Sequence, residues 1–193
     1  SLSESKDGSY IKELSDGRFR VRCKGQHCYL PNTKGGLQRN RNGRRYPAET
    51  TWGKHTAPGA AFYERVKSRR VTGQLEHPVD GKSAMGLAAM VVTEVSKPDP
   101  KTGVVMVTFE TMSTDAGRVV EAYIRDGVGF GLSSRGNGSI ETTNEGIDEV
   151  QPDFEPITFD CVVDESTPGA EVAARTLREA RERLLESAQG DEE

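Results

Sequence analysis

The sequence has no apolar run near the roughly 20 residues that a membrane-crossing helix requires, so we expect no membrane span. It has only three cysteines, Cys23, Cys28 and Cys161, and they do not form the pattern of a disulfide framework. Such scarcity is typical of a reduced intracellular compartment. The chain begins with Ser1 and shows no signal peptide, so we expect its natural start to have been trimmed.

A strong charge of one sign is also missing. The formal net charge is -4 and the isoelectric point is near 5.6, which gives no general attraction to nucleic acid. Aromatic residues make up 6% of the chain, too few for a surface that stacks bases. A local basic cluster at Arg41, Arg44 and Arg45 is the exception, although it is equally typical of a solvated loop. A nucleic-acid-binding module is therefore disfavoured, and we predict no specific nucleic-acid partner.

Paired metal ligands are absent as well. Cys23, His27 and Cys28 lie close together in the sequence, but a structural zinc site usually needs four ligands and no second pair follows. We therefore predict neither a metal nor any other cofactor.

The length of 193 residues fits one domain with its own core. The polar residues 1–18 predict a flexible lead-in, residues 19–169 the main domain, and residues 170–193 a charged helix with an acidic tail. The apolar stripe of that helix is thin, so the helix could detach or bind a partner. Its members are Val172, Leu177, Leu184 and Leu185. Residues 31–57 are dense in Gly, Asn, Arg and Thr, which predicts a long functional loop.

Strand-like segments dominate the middle of the chain. Period-two alternation and turn signals predict strands at residues 19–24, 71–76, 87–95, 104–110, 128–133, 139–142 and 157–163. Helices are predicted at residues 58–70 and 115–126. For the second helix, Thr114 or Asp115 is the expected N-cap and Gly127 the stop. Its expected core residues are Val119, Val120, Tyr123 and Ile124. Strands interrupted by helices indicate an α+β fold.

Two segments carry residues suited to acyl transfer. Segment 74–78 (QLEHP) holds His77, one of three histidines, and segment 129–139 (GFGLSSRGNGS) holds Ser133. A serine hydroxyl is a weak nucleophile unless a base takes its proton. An imidazole can take that proton and later return it to a leaving amine. The pair predicts a nucleophile and its base, although a lone histidine before a proline is as often structural.

Alternation along the predicted strand distinguishes the two neighbouring serines. Phe130, Leu132 and Ser134 share one face, and Gly129, Gly131 and Ser133 share the other. Because the apolar face turns inward, Ser134 is expected in the core. Ser133 is expected on a face cleared by glycines, where a substrate backbone can approach.

Asp160 is the predicted third member of a catalytic triad. It lies in the segment TFDCV, where a carboxylate among apolar residues needs a compensating partner. The alternatives for this role are Glu94 and Glu76. The strand residues expected to face the core are Phe159, Cys161 and Val163.

Together with segment 40–47 (NRNGRRYP), these segments resemble the prohead (capsid maturation) serine proteases of T-even-like tailed bacteriophages, which are distantly similar to herpesvirus maturational proteases. The matching blocks run from about residue 37 to about residue 170. The resemblance implies a compact, mostly antiparallel β-barrel surrounded by helices. It aligns Ser133 with the family's catalytic serine, supports His77 as the base and places Asp160 comparably to the third member in distant relatives.

The residues after the nucleophile, Ser134, Arg135 and Gly136, are candidates for the oxyanion site. Glycines permit a backbone turn that points N–H groups inward, and Arg135 could hold that turn or a water. The alternative is an ordinary glycine loop.

The resemblance also implies cleavage after glutamate, typically with Leu or Ile two residues earlier. A pocket for glutamate is best supplied by arginine, and the candidates are Arg41, Arg44 and Arg45. Alternatively, Asn40, Arg41 and Tyr46 only brace their loop. The same tripeptide pattern occurs at residues 11–13, 177–179 and 184–186, which predicts self-cleavage at accessible sites.

The leading hypothesis is therefore a serine endopeptidase that cleaves scaffold and major capsid proteins, and itself, during phage prohead maturation. It would act in the prohead interior in the bacterial host cytoplasm, and self-association stays open. The alternative is a non-catalytic capsid-assembly or scaffold protein that retains the protease fold. The presence of both His77 and Ser133 favours the enzyme.

Overall fold

The computed structural model describes residues 6–170 and 174–190. Its strands are β1 (Tyr10–Glu13), β2 (Phe19–His27), β3 (Arg44–Arg45), β4 (Thr72–Gly73), β5 (Met90–Val95), β6 (Val104–Thr111), β7 (Gly131–Asn137), β8 (Ile140–Thr142), β9 (Asp148–Val150) and β10 (Glu155–Val162). Its α-helices are α1 (Ala61–Lys67), α2 (Asp115–Asp126) and α3 (Ala174–Gly190). A π-helical turn spans Glu49–Gly53 and a 3-10 turn spans Met85–Leu87. None of the described helices is long and apolar enough to cross a membrane.

Five antiparallel strands form the main sheet in the order β1-β2-β6-β5-β4. β2 alternates as its sequence predicts, since Phe19, Val21 and Cys23 are buried and the residues between them are half-buried. Phe109 of β6 pairs with Val21 on one side and Val92 on the other. These side chains lie in one continuous core.

β7 and β10 form an antiparallel pair that joins the main sheet through the segment after β4. The Cys161 N–H donates to the Gln74 carbonyl at 2.9 Å, and the Glu76 N–H donates to the Cys161 carbonyl at 2.7 Å. The end of β4 and strand β10 approach each other closely at Gly73, where a Cβ would overlap the carbonyl oxygen of Phe159. Glycine permits this approach because it has no side chain.

The described strands do not close into a barrel. β7 contacts β2 through a side-chain hydrogen bond, from Gln26 Nε2 to Ser134 Oγ at 3.2 Å, and no backbone ladder joins these two strands in the described ranges. A third sheet has the order β3-β9-β8 and includes one parallel pair, β3 with β9. The mixed α and β composition with mostly antiparallel strands is confirmed, whereas the implied barrel is not.

α2 begins and ends where its sequence predicts. The Thr114 hydroxyl accepts the N–H of Gly117 at 3.0 Å, and Gly127 ends the helix with a φ of 68°. Val119, expected in the core, is instead 42% exposed, because the helix turns only a narrow stripe inward. The buried residues of that stripe are Gly117, Val120 and Ile124.

Part of the predicted flexible lead-in is a strand. β1 pairs along its whole length with β2, and Ile11 is 3% exposed. A single buried apolar residue gives too little periodicity to predict a strand, and the available edge of β2 supplies the order instead.

The charged C-terminal helix packs on the domain, contrary to the expectation that it could detach. Leu177 and Ala180 of α3 are buried in the main core, and Arg183 Nη2 donates to the Ile11 carbonyl at 3.3 Å. Leu185 is exposed, as a thin stripe requires, and Val172 lies outside the described residues.

The long loop predicted at residues 31–57 contains regular structure. Its π-helical turn places the lone tryptophan, Trp52, in the core. The indole packs against Phe62, Phe154 and Phe159 with ring centroids 6.0, 5.4 and 5.1 Å away. The composition of this segment did not predict the turn, because Gly, Asn and Thr surround its single large apolar side chain.

Candidate active site

His77 stands at the end of an extended segment held by β10. Leu75 bridges Cys161, and Glu76 then adopts a φ of 60°, which is uncommon for a residue with a side chain. Two hydrogen bonds fix this turn: the Glu76 N–H donates to the Cys161 carbonyl at 2.7 Å, and Glu76 Oε1 accepts the Val163 N–H at 2.8 Å. The turn brings His77 to the β7–β10 pair.

The three residues predicted to form a triad meet at this point. Ser133 of β7 and Asp160 of β10 are paired across the ladder. His77 Nε2 lies 2.9 Å from Ser133 Oγ, and His77 Nδ1 lies 2.6 Å from Asp160 Oδ2. The structure therefore joins a hydroxyl, an imidazole and a carboxylate in one hydrogen-bonded chain.

The Asp160 carboxylate is fully buried and well supplied with donors. The Gln74 N–H donates to Oδ1 at 2.9 Å, and Arg135 donates through Nη2 to Oδ1 at 3.0 Å and through Nε to Oδ2 at 2.9 Å. Burial raises the pKa of Asp160, but the hydrogen bonds from His77, Arg135 and the Gln74 N–H outweigh burial and hold it below the ordinary value. The carboxylate is thus an anion that can orient the imidazole.

The alternatives for the third position, Glu76 and Glu94, do not appear among the described contacts of His77. The Glu76 carboxylate caps the Val163 N–H. Glu94 lies on β5, beside a surface groove that it shares with Phe62 of α1.

Ser133 was expected on a face that glycines leave open, and this expectation is wrong for Gly131. Ser133 is 7% exposed, and a Cβ at Gly131 would lie 2.6 Å from Glu165 Oε2. That glycine makes room for Glu165 rather than for a substrate. Ser134, expected in the core, is only half-buried, and its hydroxyl accepts the bond from Gln26. Val163, also expected in the core, is 62% exposed because β10 ends before it.

A cavity of about 320 Å³ opens beside Ser133. Its lining is mostly polar, and it includes Val79 and Gly81, which lie outside the segments that the sequence singled out. Their position shortly after His77 was the signal for them. The remaining lining residues are Asn40, Asn42, Arg44, Tyr46, His77, Pro78, Ser133, Ser134, Arg135, Gly136 and Ser166.

The three candidate arginines have different surroundings. Arg41 Nη1 donates to both the carbonyl and Oε1 of Glu165 at 2.9 Å. Arg45 Nε donates to Glu149 at 2.6 Å, and its guanidinium lies 4.1 Å from the Tyr29 ring centroid. Arg44 lines the cavity, and its buried Nε has no hydrogen-bond partner among the described residues.

The glycine turn predicted after the nucleophile is instead a continuation of β7 to Asn137. Ser134 and Gly136 both line the cavity, whereas a Cβ at Gly136 would lie 2.6 Å from the ring of Phe154. The glycine is needed for packing against that ring. The Arg135 guanidinium is bound to Asp160, Gly81 and Ser83, so it does not hold the predicted turn after the nucleophile.

Within residues 6–170 and 174–190, no cluster of His, Cys, Asp and Glu has the arrangement of metal ligands. Two of the residues considered as metal ligands have other surroundings. Burial raises the pKa of the Cys23 thiol to about 12. The Nε2 atom of His27 lies within hydrogen-bond distance of the carbonyl oxygens of Gly35 and Thr102.

Residues 36–182 match the family described as prohead core protein serine protease. The chain belongs to this family. The matched span includes His77, Ser133 and Asp160 together with the basic segment 40–47, so the resemblance noted in the sequence is confirmed. A prohead core protease family is a family of peptidases, and membership makes a peptidase the first candidate for the activity of this chain.

The solved structure of the bacteriophage T4 capsid assembly protease, gp21, has a similar fold. The TM-score is 0.61 at 24% sequence identity, and the match covers 79% of this chain and 90% of that chain. No curated protein sequence matches the chain. The likeness to this structure is one of fold.

Proposed function

We propose that this prohead protease is a serine endopeptidase in which Ser133 is the nucleophile, His77 the general base and Asp160 the residue that orients the base. The observation that carries the proposal is the unbroken chain of hydrogen bonds, 2.6 Å from Asp160 to His77 and 2.9 Å from His77 to Ser133. A cavity beside the hydroxyl gives a substrate access to it.

The geometry defines the proton path. With its proton on Nδ1, His77 donates to Asp160 and accepts the Ser133 hydroxyl at Nε2. Attack of Oγ on the scissile carbonyl transfers the hydroxyl proton to Nε2, and the Asp160 carboxylate stabilises the resulting imidazolium. The imidazolium then gives this proton to the leaving amine, which leaves an acyl-enzyme at Ser133. Water, deprotonated by the same imidazole, hydrolyses the ester.

We assign the oxyanion to backbone N–H groups of Ser134 and Gly136, since both residues line the cavity with Ser133. Donors that face the developing charge stabilise the transition state by about 3–4 kcal/mol each. The Arg135 guanidinium has another role because four of its donor contacts are already made, two with Asp160 and one each with Gly81 and Ser83.

The proposed substrates are scaffold and major capsid proteins in the prohead interior, cut after glutamate with Leu or Ile two residues earlier. Arg44 is the arginine that we assign to the substrate glutamate. Arg41 and Arg45 are already paired with carboxylates, whereas Arg44 lines the Ser133 cavity and has no carboxylate partner in the described part of the chain. A substrate carboxylate in that cavity would pair with its guanidinium.

Self-cleavage is part of the proposal, but its sites are protected. Residues 11–13 lie in β1, which is paired with β2, and residues 177–179 and 184–186 lie in α3. Ile11 is 3% exposed and Leu177 is 2% exposed, so the expected accessibility is wrong for both. A cut at either place requires local unfolding first.

A serine-directed phosphonate and a peptide library test the proposal. We expect the phosphonate to label Ser133 of the wild-type protein, as identified by mass spectrometry. The wild-type protein should also cleave Leu-x-Glu and Ile-x-Glu peptides. The variants Ser133→Ala and His77→Ala should neither be labelled nor cleave these peptides. The competing function, a non-catalytic assembly protein that retains the fold, predicts no label and no difference in cleavage between the wild type and Ser133→Ala.

A further inference from the structure

Arg135 has a buried side chain whose donors serve two parts of the site. Its side chain is 7% exposed, and Nε and Nη2 grip the two oxygens of Asp160 at 2.9 and 3.0 Å. Nη1 donates to the Gly81 carbonyl at 3.0 Å and to the Ser83 hydroxyl at 3.1 Å. The planar guanidinium fixes the angle between these two sets of contacts.

The loop that Arg135 holds follows His77 directly. Pro78, Val79 and Gly81 line the cavity, and the Val79 side chain is fully exposed at its edge. One guanidinium therefore connects the carboxylate that orients the base with a wall of the substrate cavity.

We infer that Arg135 is a positioning residue that aligns His77 through Asp160 and couples this alignment to the loop of residues 78–83. The inference rests on the proposed function. A carboxylate held by two parallel N–H donors cannot rotate about its last side-chain bond, so Oδ2 stays directed at His77 Nδ1. Because the same group binds Gly81 and Ser83, a displaced loop disturbs the base.

The charges around His77 give this role a distinct signature. Asp160 touches the imidazole, Glu76 and Asp80 lie on either side in the chain, and Arg44 and Arg135 supply positive charge from the cavity wall. Removing the positive charge of Arg135 leaves Asp160 less neutralised, which favours the protonated imidazole. The acid limb of the pH profile of kcat/KM therefore moves to higher pH in Arg135→Gln. Arg135→Lys keeps the charge, so its acid limb stays in place.

The test compares Arg135→Lys, Arg135→Gln and a control, Arg20→Gln. Arg20 pairs with the buried carboxylate of Glu110 away from the cavity and reports on the general loss of an arginine–carboxylate pair. Steady-state kinetics on a peptide cleaved by the wild type give kcat, KM and the pH profile, and hydrogen exchange gives the order of residues 78–83. Both Arg135 variants should lose about ten- to a hundredfold in kcat, as when a partner that orients a catalytic group is removed. Their loop should exchange faster, while Arg20→Gln should match the wild type.

A double substitution separates positioning from a direct effect. In the Asp160→Asn background, Arg135→Lys should cost little more, because its contribution passes through Asp160. Folded Arg135→Lys with wild-type kcat and wild-type loop exchange overturns the inference, and so does a full additional loss in the Asp160→Asn background. If Arg135→Gln does not fold, Arg135→Lys decides alone. Equal cleavage by the wild type and Ser133→Ala is a different result, because it overturns the proposed function itself.

Discussion

Ser133 and Asp160 are cross-strand partners on β7 and β10, and His77 bridges them from outside that ladder. Backbone hydrogen bonds between two strands thus set the distance between the hydroxyl and the carboxylate. Sites built on strands are held more precisely than sites built on loops, so the proposed triad is formed before a substrate arrives.

Asp160→Asn should lower kcat by about 10⁴-fold, because an amide no longer holds the imidazole in the productive tautomer. It should also lower the free energy of unfolding, since Arg135 then lies buried without its anion. Ser133→Ala should abolish cleavage while keeping the unfolding temperature near that of the wild type. The matched control is Asp153→Asn, which changes an exposed carboxylate that caps the Ser139 N–H. Wild-type kcat in Asp160→Asn would exclude Asp160 from the triad.

Arg44→Gln should reduce the preference for glutamate over glutamine at the cleaved position. The lost charged hydrogen bond is worth about 1.5–3 kcal/mol, or roughly ten- to a hundredfold in kcat/KM for the glutamate peptide. The matched glutamine peptide should be affected much less. Arg41→Gln, which loses its pairing with Glu165, is the control. An unchanged ratio between the two peptides in Arg44→Gln assigns the recognition to another residue.

Acid should destabilise the fold through two buried carboxyls, Asp160 and Glu110. Burial raises the pKa of both carboxyls, but the hydrogen bonds that they accept lower it by more. These come from His77 and Arg135 at Asp160, and from Arg20 and Arg69 at Glu110. The pKa of Asp160 is therefore below its ordinary value of 3.8, and that of Glu110 is below 4.5. The stabilisation is complete above those ordinary values and is lost as the pH falls through the lowered ones.

Urea unfolding of Ser133→Ala between pH 6 and pH 2 measures this loss without self-cleavage. Adding Glu110→Gln should flatten the acid part of the curve, because one of the two titrating groups is gone. A free energy of unfolding that does not change over this range contradicts the prediction.

Leu177→Ala should cost about 2–5 kcal/mol of unfolding free energy, the usual range for emptying a buried leucine site. Leu177 is 2% exposed in α3, whereas Leu185 of the same helix is 56% exposed, and Leu185→Ala should change stability little. Chemical denaturation of both variants in the Ser133→Ala background compares them. Equal costs would mean that α3 does not pack on the domain in solution.

Local signals in the sequence predicted what local physics determines. Thr114 and Gly127 fixed both ends of α2, and the alternation of β2 identified its buried face, because a cap or a strand pattern depends on neighbouring residues. The segments holding His77, Ser133 and Asp160 were found because the residue types needed for acyl transfer are few and the family resemblance aligned them.

Distant contacts explain what the sequence did not predict. The space at Gly131 is filled by Glu165, and the donors of Arg135 reach Asp160 and Gly81, none of which is a neighbour in the chain. Likewise, the short β1 forms only because β2 offers an edge. Periodicity within a segment carries no information about such partners.

The close crossing at Gly73 extends beyond local packing. Gly73 lies four positions before His77, at the junction where the segment carrying the base meets the strand carrying Asp160. Even the methyl group of alanine would push those two backbones apart, and the imidazole would retreat from its partners. A hydrogen atom in place of a side chain thus acts as the spacer that sets the alignment of the whole site, and saturation mutagenesis at this codon should recover glycine alone among active clones.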